Sequence, residues 1–511
     1  MGRTGPEHNL NSVLPDYGKP WFRVPHLFKL NLILVGSVFL SSTNLGYDAS
    51  LLNSFQSMST WRNYFGEPTG AILGALSNGI IFGGFLSMPI APWILDNYGR
   101  KLPIAVGALI IVIGSVIQAA AQGYAMFMVG RVIVGFGGGF CNVASPALIS
   151  EVAYPTHRHI MAASYNTLWY FGAIIAAWVS YGTYHMENSN WSWRIPSIIQ
   201  GLLPLIQFIT IFFVPESPRF LVSRNKVAQA REVLIEWHAN GDATSPLVEF
   251  ELAEIATALE FESSMHLSSY KDFFKTRANM HRLFIILMLP VMIQLSGNGL
   301  VSYFLNKVLD SIGIESSSEQ LVINGSLMIY NFVCAVFFAT LVERVGRRSM
   351  FLVCVIGMLV TYIVWTVLSA INQQRNFQDH GLAQGVLAMI FIYYFCYGIG
   401  LNGLPYLYVT EILPYHLRAK GITITLLMAY LILIYNGFVN PVAMDAIGWR
   451  YYIVYCCIIA VELVVVYFTF PETKGHTLES VAQVFGDDAL YSEDEKNNQI
   501  EHVEAISKNV V

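Results

Sequence analysis

The sequence predicts an all-α integral membrane protein with about twelve transmembrane helices arranged as two six-helix halves. Three observations support this fold class. Only 12% of the 511 residues are charged and 54% are hydrophobic, whereas a soluble domain has about 25% charged residues. Apolar segments long enough to cross a hydrocarbon core of ~30 Å follow one another, and charged motifs recur in the two halves. A transmembrane barrel is excluded, because its strands span only ~10 residues and alternate in hydrophobicity.

The apolar segments define the domain organisation. In the first half, residues 27–214, they lie near 27–52, 70–95, 103–121, 125–150, 161–182 and 195–214. In the second half, residues 282–470, they lie near 282–308, 320–342, 349–371, 383–410, 421–443 and 450–470. The polar linker 215–281 contains two stretches, 226–238 and 247–262, with the spacing of short amphipathic helices. Residues 1–26 and 471–511 are polar tails, and we expect the first span to act as an uncleaved insertion signal.

Basic residues in the short loops predict the orientation in the membrane. They follow spans 2, 8 and 10, and they are Arg100, Lys101, Arg344, Arg347, Arg348, Arg418 and Lys420. With an even number of spans, these loops, the linker and both termini share one side, which we expect to be the cytoplasmic side of a plasma membrane. The glycosylation sequons that begin at Asn190 and Asn324 then fall on or near the outer side, and Asn190 is the candidate acceptor.

Three motifs of acidic and basic residues repeat between the halves. They are Asp96–Lys101 and Glu343–Arg348, Glu151 with Arg158 and Glu411 with Arg418, and Pro215–Arg219 and Pro471–Gly475. Parallel halves that enclose a site near the middle of the membrane are typical of transporters.

The motifs together resemble those of a known family. They are Gly46-Tyr47-Asp48, the two Gly-Arg loops, Gly130-Arg131, Trp193-Arg194-Ile195-Pro196, Pro-Glu-Ser-Pro-Arg and Pro-Glu-Thr-Lys-Gly. The chain resembles a sugar porter of the major facilitator superfamily over residues 27–480, which implies the major facilitator fold. Within that family, residues 165–169 and 294–303 are similar to fungal disaccharide permeases of the lactose and cellodextrin type.

The resemblance implies a cytoplasmic gate built from the repeated motifs. Its residues are Asp96, Gly99, Arg100, Glu151, Arg158, Glu343, Arg347, Glu411 and Arg418. Ion pairs across the two halves would clamp the inner ends together and break when the site opens inward. The alternative is that the basic residues only set topology, but this does not explain the acidic residues at matching positions.

Asp48 is the candidate for proton coupling. It lies well inside span 1, where a carboxylate costs ~2.5–3.5 kcal/mol on insertion scales and is a functional candidate by default. Arg131, early in span 4, is its expected partner, as in proton-coupled members of the family. If Arg131 engages and releases Asp48 in turn, a proton accompanies the substrate. The alternative is a permanent salt bridge that only joins two helices.

Neutral amides and aromatic rings inside the spans are the candidates for sugar binding, because a sugar offers uncharged hydroxyls and C–H faces that stack on rings. They are Asn166, Trp169, Gln294, Asn298, Tyr303, Asn331, Asn402, Tyr406 and Tyr430. For each amide, the alternative is an interhelical hydrogen bond. Compared with the hexose pattern of the family, Asn166 replaces a Gln, and Leu401 and Tyr430 each replace a Trp. Smaller side chains widen the cavity, which favours a disaccharide or another polyol-like solute.

The sequence therefore predicts a proton symporter that imports a neutral sugar, such as lactose or cellobiose, by alternating access. A hexose facilitator, a carrier of a non-sugar solute and a non-transporting nutrient sensor remain alternatives. No catalytic, metal-ligand or phosphate-loop motif is present, so we expect neither an enzyme nor a cofactor. The net charge of −5 argues against nucleic acid as a partner. The expected partners are the sugar, protons and lipid, with the protein acting as a monomer.

Overall fold

The computed structural model describes residues 13–15, 19–186, 189–264, 269–339, 341, 345–377, 379–474 and 485. Every regular element in this part of the chain is helical. Eleven of its helical segments are long and apolar enough to cross a membrane. The last of them, Lys420–Thr469, has 50 residues, more than twice the ~20 that one crossing needs. It turns at Gly448, where φ is +54°, and therefore holds two spans. The predicted all-helical bundle of twelve spans is confirmed.

The first half contains spans 1 to 6. Span 1 consists of Pro25–Ser37 and Leu40–Ser57, span 2 of Gly70–Ser87 and Ala91–Tyr98, and span 6 of Trp191–Gln200 and Leu202–Thr210. Spans 3, 4 and 5 are the continuous helices Lys101–Ala119, Tyr124–Val152 and Arg158–Tyr184. The short helix Ser59–Tyr64 follows span 1.

The linker forms the helices Pro218–Ser223, Val227–Trp237 and Pro246–Ser264 and the 3₁₀ turn Tyr270–Phe274. Two of these helices lie close to the stretches that helical spacing predicts. The linker packs against the ends of spans 4 and 5, where buried His238 hydrogen-bonds the carbonyl of Val152 at 3.1 Å. We call this end of the bundle the linker end and the opposite end the far end.

The second half contains spans 7 to 12. Span 7 consists of Arg277–Leu295 and Asn298–Asp310, and span 10 of His380–Gly400 and Leu404–Ile412. Spans 8, 9, 11 and 12 are Ser317–Ala339, Arg347–Gln374, Tyr415–Ile447 and Tyr451–Thr469. Apolar runs alone predict spans 7 and 10 as continuous. Span 7 breaks at Gly297, whose φ of +100° favours glycine and whose missing Cβ leaves room for the Tyr362 hydroxyl.

The two halves meet most extensively along two pairs of spans. Between spans 2 and 11, the Asn78 amide donates to the carbonyl of Ile434 at 3.0 Å, and Gly437 lies against the Asn78 side chain. Between spans 5 and 8, Gly325 lies against the ring of Trp178. Small residues at these contacts let the backbones approach closely, as in other membrane bundles. The spaces left between the halves are the candidate functional site.

Close packing of spans 1 and 5 depends on Gly46. A Cβ atom at this position would collide with the backbone carbonyl of Trp169, which cannot move without shifting span 5. Gly46→Val is expected to reduce the yield of monodisperse, folded protein several-fold, because overpacking a bundle displaces backbone. The control is Gly36→Val in the same span, where no atom lies within 4 Å of the added Cβ. Size-exclusion profiles and thermal midpoints in detergent measure the difference, and equal stability of the two variants would contradict the role of Gly46.

Candidate functional site

Two adjoining cavities lie between the halves. The first, which we call the amide cavity, is lined by five side-chain amides and by phenols of spans 5, 7 and 10, namely Asn166, Gln294, Asn298, Asn331, Asn402, Tyr170, Tyr303, Tyr394, Tyr397 and Tyr406. The second, the aspartate cavity, is lined by Asp48, Arg131, Ser77, Asn142 and Tyr430 together with apolar residues of spans 1, 2 and 4. Ala49, Trp169 and Tyr303 line both cavities, so the two spaces share a wall.

The structure brings the predicted sugar-site residues together. All of them except Tyr430 line the amide cavity, and Tyr430 lies across the shared wall in the aspartate cavity. Leu401, which replaces a Trp of the hexose pattern, also lines the amide cavity. Asn166 and Tyr406 are exposed, and the Tyr406 exposure is 46%. Both lie toward the linker end, so solvent reaches the amide cavity from that side.

Hydrogen bonds hold the wall of the amide cavity in place. Ser302 Oγ lies 2.9 Å from both Asn298 Oδ1 and the Tyr394 hydroxyl. The Asn298 amide donates to the Tyr397 hydroxyl at 3.2 Å, and that hydroxyl donates to the Ile293 carbonyl at 3.3 Å. The one hydroxyl hydrogen of Ser302 is donated to Asn298 Oδ1, so Tyr394 donates to Ser302. A lone pair of the Tyr394 oxygen then remains free to accept a hydrogen bond from a ligand in the cavity.

The tyrosines of this wall were missed by the sequence prediction. Tyr394, Tyr397 and Leu401 are three and four residues apart on span 10, the spacing of one helix face, and this signal could have identified them. Tyr170 was also missed. It belongs to the first half and donates to Asn402 Oδ1 of the second half at 3.0 Å, so it joins the halves beside the cavity.

Asp48 and Arg131 line the same cavity but bond to other groups. Gln200 of span 6 donates to Asp48 Oδ1 at 2.6 Å, and Arg131 Nε donates to the Leu76 carbonyl at 2.8 Å. Both side chains are buried, with exposures of 3% and 2%. Among the described residues, no ion pair joins them and Arg131 Nη1 has no hydrogen-bond partner. The alternative of a permanent salt bridge does not fit this arrangement.

At the linker end, the ion pairs differ from the predicted ones. Arg100 Nε lies 2.8 Å from Glu151 of its own half, and Arg347 Nη2 lies 2.9 Å from Glu411 of its own half. Ion pairs within each half thus replace the ion pairs that we expected across the halves. The reason is that the loop before span 3 lies against the end of span 4, and the loop before span 9 lies against the end of span 10.

The other predicted gate residues have different surroundings. Arg158 pairs with buried Glu251 of the linker at 3.4 Å, and Glu251 also contacts His238 at 2.8 Å. The Asp96 backbone carbonyl accepts a hydrogen bond from Arg224 at 2.6 Å. Arg418 lies in the first turns of span 11, and Glu343 lies outside the described residues.

Two glutamates that the sequence showed only as a repeat cap helices at this end. Glu216 accepts hydrogen bonds from the backbone N–H groups of Arg100 and Lys101 at the start of span 3. Glu472 accepts from those of Arg347 and Arg348 at the start of span 9, at 2.8 and 3.1 Å. A carboxylate at a helix N-terminus satisfies free donors and matches the helix dipole. A Cβ at Gly99 would lie 2.6 Å from Glu216 Oε2, which explains this glycine.

Amides close the bundle at the far end. Asn53 of span 1 donates to Asn324 of span 8 at 3.1 Å and accepts from the backbone N–H of Leu305 at 3.1 Å. Gln56 donates to the Tyr303 carbonyl at 2.8 Å. Asp445 of span 11 accepts from the Gly70 N–H at 3.1 Å. Each of these bonds joins the two halves, so the far end is held closed while the amide cavity is reached from the linker end.

In the described part of the chain, no group of His, Cys, Asp or Glu side chains is arranged to hold a metal ion. Two six-helix halves around a central polar cavity define a membrane carrier of the major facilitator type. The chain belongs to the family described as "Sugar (and other) transporter", whose model matches residues 34–485. It is therefore a multi-pass membrane transporter and not an enzyme, as the sequence predicts.

Curated relatives and solved structures agree with this family. A high-affinity glucose transporter of Kluyveromyces lactis is 27% identical over 486 residues, which covers 91% of this chain and 86% of the relative. The transporter criB of Aspergillus cristatus is 27% identical over 464 residues and covers 90% and 94% of the two chains. The inward-open xylose transporter XylE of E. coli superposes with a TM-score of 0.72 at 20% identity and covers 90% of this chain and 99% of that chain.

The Glu472 cap gives a pH-dependent stability. Burial alone would raise the pKa of Glu472, but hydrogen bonds from backbone N–H groups, including those of Lys474, Arg347 and Arg348, lower it below its usual 4.5. A lowered pKa means that the ionised form stabilises the fold above about pH 4.5 and that this stability is lost as the pH falls through the lowered value. Glu472→Gln is therefore expected to lower the thermal midpoint by about 1–3 °C at pH 7.

The difference between Glu472→Gln and the unchanged protein should shrink as the pH falls below 4.5. Glu236→Gln, on the exposed face of the linker helix Val227–Trp237, is the control and should not change the midpoint. Thermal unfolding in detergent across this pH range is the measurement. A difference that stays constant with pH would show that Glu472 acts without its charge.

Proposed function

We propose that this transporter imports a neutral sugar, of disaccharide size such as lactose or cellobiose, together with protons. The observation that carries the proposal is the amide cavity. Among its described lining residues none carries a charge, while amides and phenols supply hydrogen bonds in both directions. A neutral polyhydroxy solute matches such a lining, whereas an acidic solute would call for a cation there.

The position of Asp48 supports proton coupling. Its cavity adjoins the amide cavity across Trp169 and Tyr303, and Arg131 Nη1 has no bonded partner among the described residues. In the transport cycle, Arg131 would engage Asp48 when the carboxyl group loses its proton and release it when a proton binds. A solved neighbour in this fold is described as a proton:xylose symporter. Coupling then requires that Asp48 exchange its proton with the side to which the cavity is open.

The sidedness follows from the basic loops and the closed far end. We place the linker end, with both termini, in the cytoplasm and the far end outside a plasma membrane. In this orientation the structure faces inward. The outer gate comprises the Asn53 and Gln56 contacts, and Arg100 and Arg347 of the predicted inner gate pair within their own halves, as they would after opening.

A hexose facilitator is the second candidate. The names of several relatives favour it, since they include high- and low-affinity glucose transporters of Kluyveromyces lactis. The small side chains at Asn166 and Leu401 in the amide cavity favour the larger substrate. A facilitator would keep Asp48 as a structural residue held by Gln200.

Uptake measurements separate these candidates. In yeast that lacks sugar transporters, the protein is expected to accumulate labelled lactose or cellobiose, and a protonophore should abolish accumulation. In Asp48→Asn, the internal sugar concentration should rise only to the external concentration, because the amide cannot carry a proton. Exchange of sugar down its gradient should continue. Glucose uptake that is insensitive to the protonophore would establish the facilitator. If no sugar enters although the protein reaches the cell surface, the non-sugar carrier and the nutrient sensor take precedence.

The two sequons test the sidedness. Asn190 is exposed at the far end, whereas Asn324 is buried and bonded to Asn53 and Ser54. Asn190→Gln is expected to remove the mobility shift that a glycosidase produces in protein from a eukaryotic host, because only an exposed Asn on the outer side is modified. Asn324→Gln is the matched variant and should keep the shift. A shift lost only in Asn324→Gln would contradict the described packing of span 8.

A further inference from the structure

The aspartate cavity is large enough for more than a proton. Its volume is about 180 Å³ and that of the amide cavity about 220 Å³. Since one water needs about 10–15 Å³ on this measure, each cavity has room for several waters. Two spaces of similar size that share a wall match a solute with two similar parts.

The polar atoms of the aspartate cavity call for a ligand. Arg131 Nη1 and Ser77 Oγ are buried and have no hydrogen-bond partner among the described residues. An unmade bond at a buried donor costs ~1–3 kcal/mol, and more for a charged group. Asn142 and Tyr430 also line this cavity and add an amide and a phenol to it. Between these groups the walls are aliphatic, with Ile80, Ile81 and Leu433.

Sugar rings suit such a lining, because hydroxyl groups at the ring edge bond to polar atoms while the C–H faces pack on apolar and aromatic walls. Trp169 and Tyr303 present aromatic surface to both cavities. A glycosidic linkage beside Ala49 would let one ring contact each cavity.

We propose that the aspartate cavity is a second saccharide subsite, which binds the second ring of a disaccharide whose first ring lies in the amide cavity. The inference rests on the proposed sugar transport and deepens it. The second ring supplies hydroxyl partners to Arg131 and Ser77. The substrate thereby contacts the arginine that the proton cycle uses, and an occupied subsite keeps Arg131 away from Asp48.

Gly138 of span 4 offers a direct test. It lines the aspartate cavity, and the nearest atom to an added Cβ is Leu45 Cδ2 at 3.9 Å, so a side chain there enters the cavity without a clash. Gly138→Val is expected to lower lactose and cellobiose uptake relative to glucose uptake by about tenfold or more, because it fills only one of the two cavities. Where glucose is not itself carried, its potency as a competitor of lactose replaces its uptake rate.

The matched control is Gly182→Val in span 5, where no atom lies within 4 Å of the added Cβ and the residue is exposed. It should leave the ratio of the two sugars unchanged at equal surface expression. An equal loss of both sugars in Gly138→Val would overturn the subsite and leave the sugar transport intact. Wild-type protein that carries glucose but neither disaccharide would overturn the subsite and the disaccharide substrate together.

A labelling experiment covers the case in which Gly138→Val does not fold. Gly138→Cys adds a small thiol to the aspartate cavity, and its alkylation by a maleimide is followed against the unchanged protein, whose own cysteines give the background. Saturating lactose or cellobiose is expected to slow the labelling severalfold, whereas saturating glucose should not. Protection by glucose equal to that by the disaccharides would overturn the assignment.

Discussion

The structure depends on the cost of an unpaired polar group in a bundle that excludes water and is surrounded by lipid. Polar side chains inside the spans therefore gather in few places, where they bond to one another or border a cavity. Gln200 bonds Asp48, Gln207 bonds both Asn44 and Ser41, and Asn440 accepts from Tyr451 and Tyr455. Two buried groups left without such bonds, Arg131 Nη1 and Ser77 Oγ, border the aspartate cavity. The location of the candidate site is consistent with this constraint as well as with the motifs.

The two halves share the same motifs at the linker end but contribute different residues to the cavities. At the linker end their repeats are equivalent, since Glu216 and Glu472 cap spans 3 and 9 in the same way and Arg100 and Arg347 each pair with a glutamate of their own half. Nearer the middle of the membrane the equivalence ends. The first half supplies the charged residues Asp48 and Arg131, and the second half supplies most of the amides and phenols. Under the proposed function, proton binding and sugar binding are divided between the halves, and any relative motion of the halves acts on both.

Much of this arrangement could be predicted from the sequence, and the remainder has a physical explanation. Apolar length predicts the spans, because a crossing helix has a required length, and the cost of a polar group in lipid identifies Asp48 and the amides. Periodicity along one helix does not tell which helix lies opposite. For this reason the bond from Tyr170 to Asn402, the closure by Asn53 and Asn324 and the pairing of Arg158 with Glu251 could not be predicted. The break at Gly297 was missed because the hydropathy of a segment carries no information about a residue whose backbone has a left-handed conformation.

The strengths of these contacts indicate how the halves move. Charged pairs and capped helix ends lie within each half and hold it as a rigid unit, since breaking a half-buried ion pair leaves a charge without its partner. Beside the bond from the Gly70 N–H to the Asp445 carboxylate, the far-end contacts between the halves described above are neutral amide bonds, such as Asn53 to Asn324 and Gln56 to the Tyr303 carbonyl. Each contributes only ~0.5–1.5 kcal/mol, because water replaces the lost bond when the contact opens. A substrate that binds both halves can therefore shift the balance between closed and open far ends. Tyr303 is part of this closure through its backbone and part of both cavities through its side chain, so occupation of the cavities and closure of the far end are physically linked.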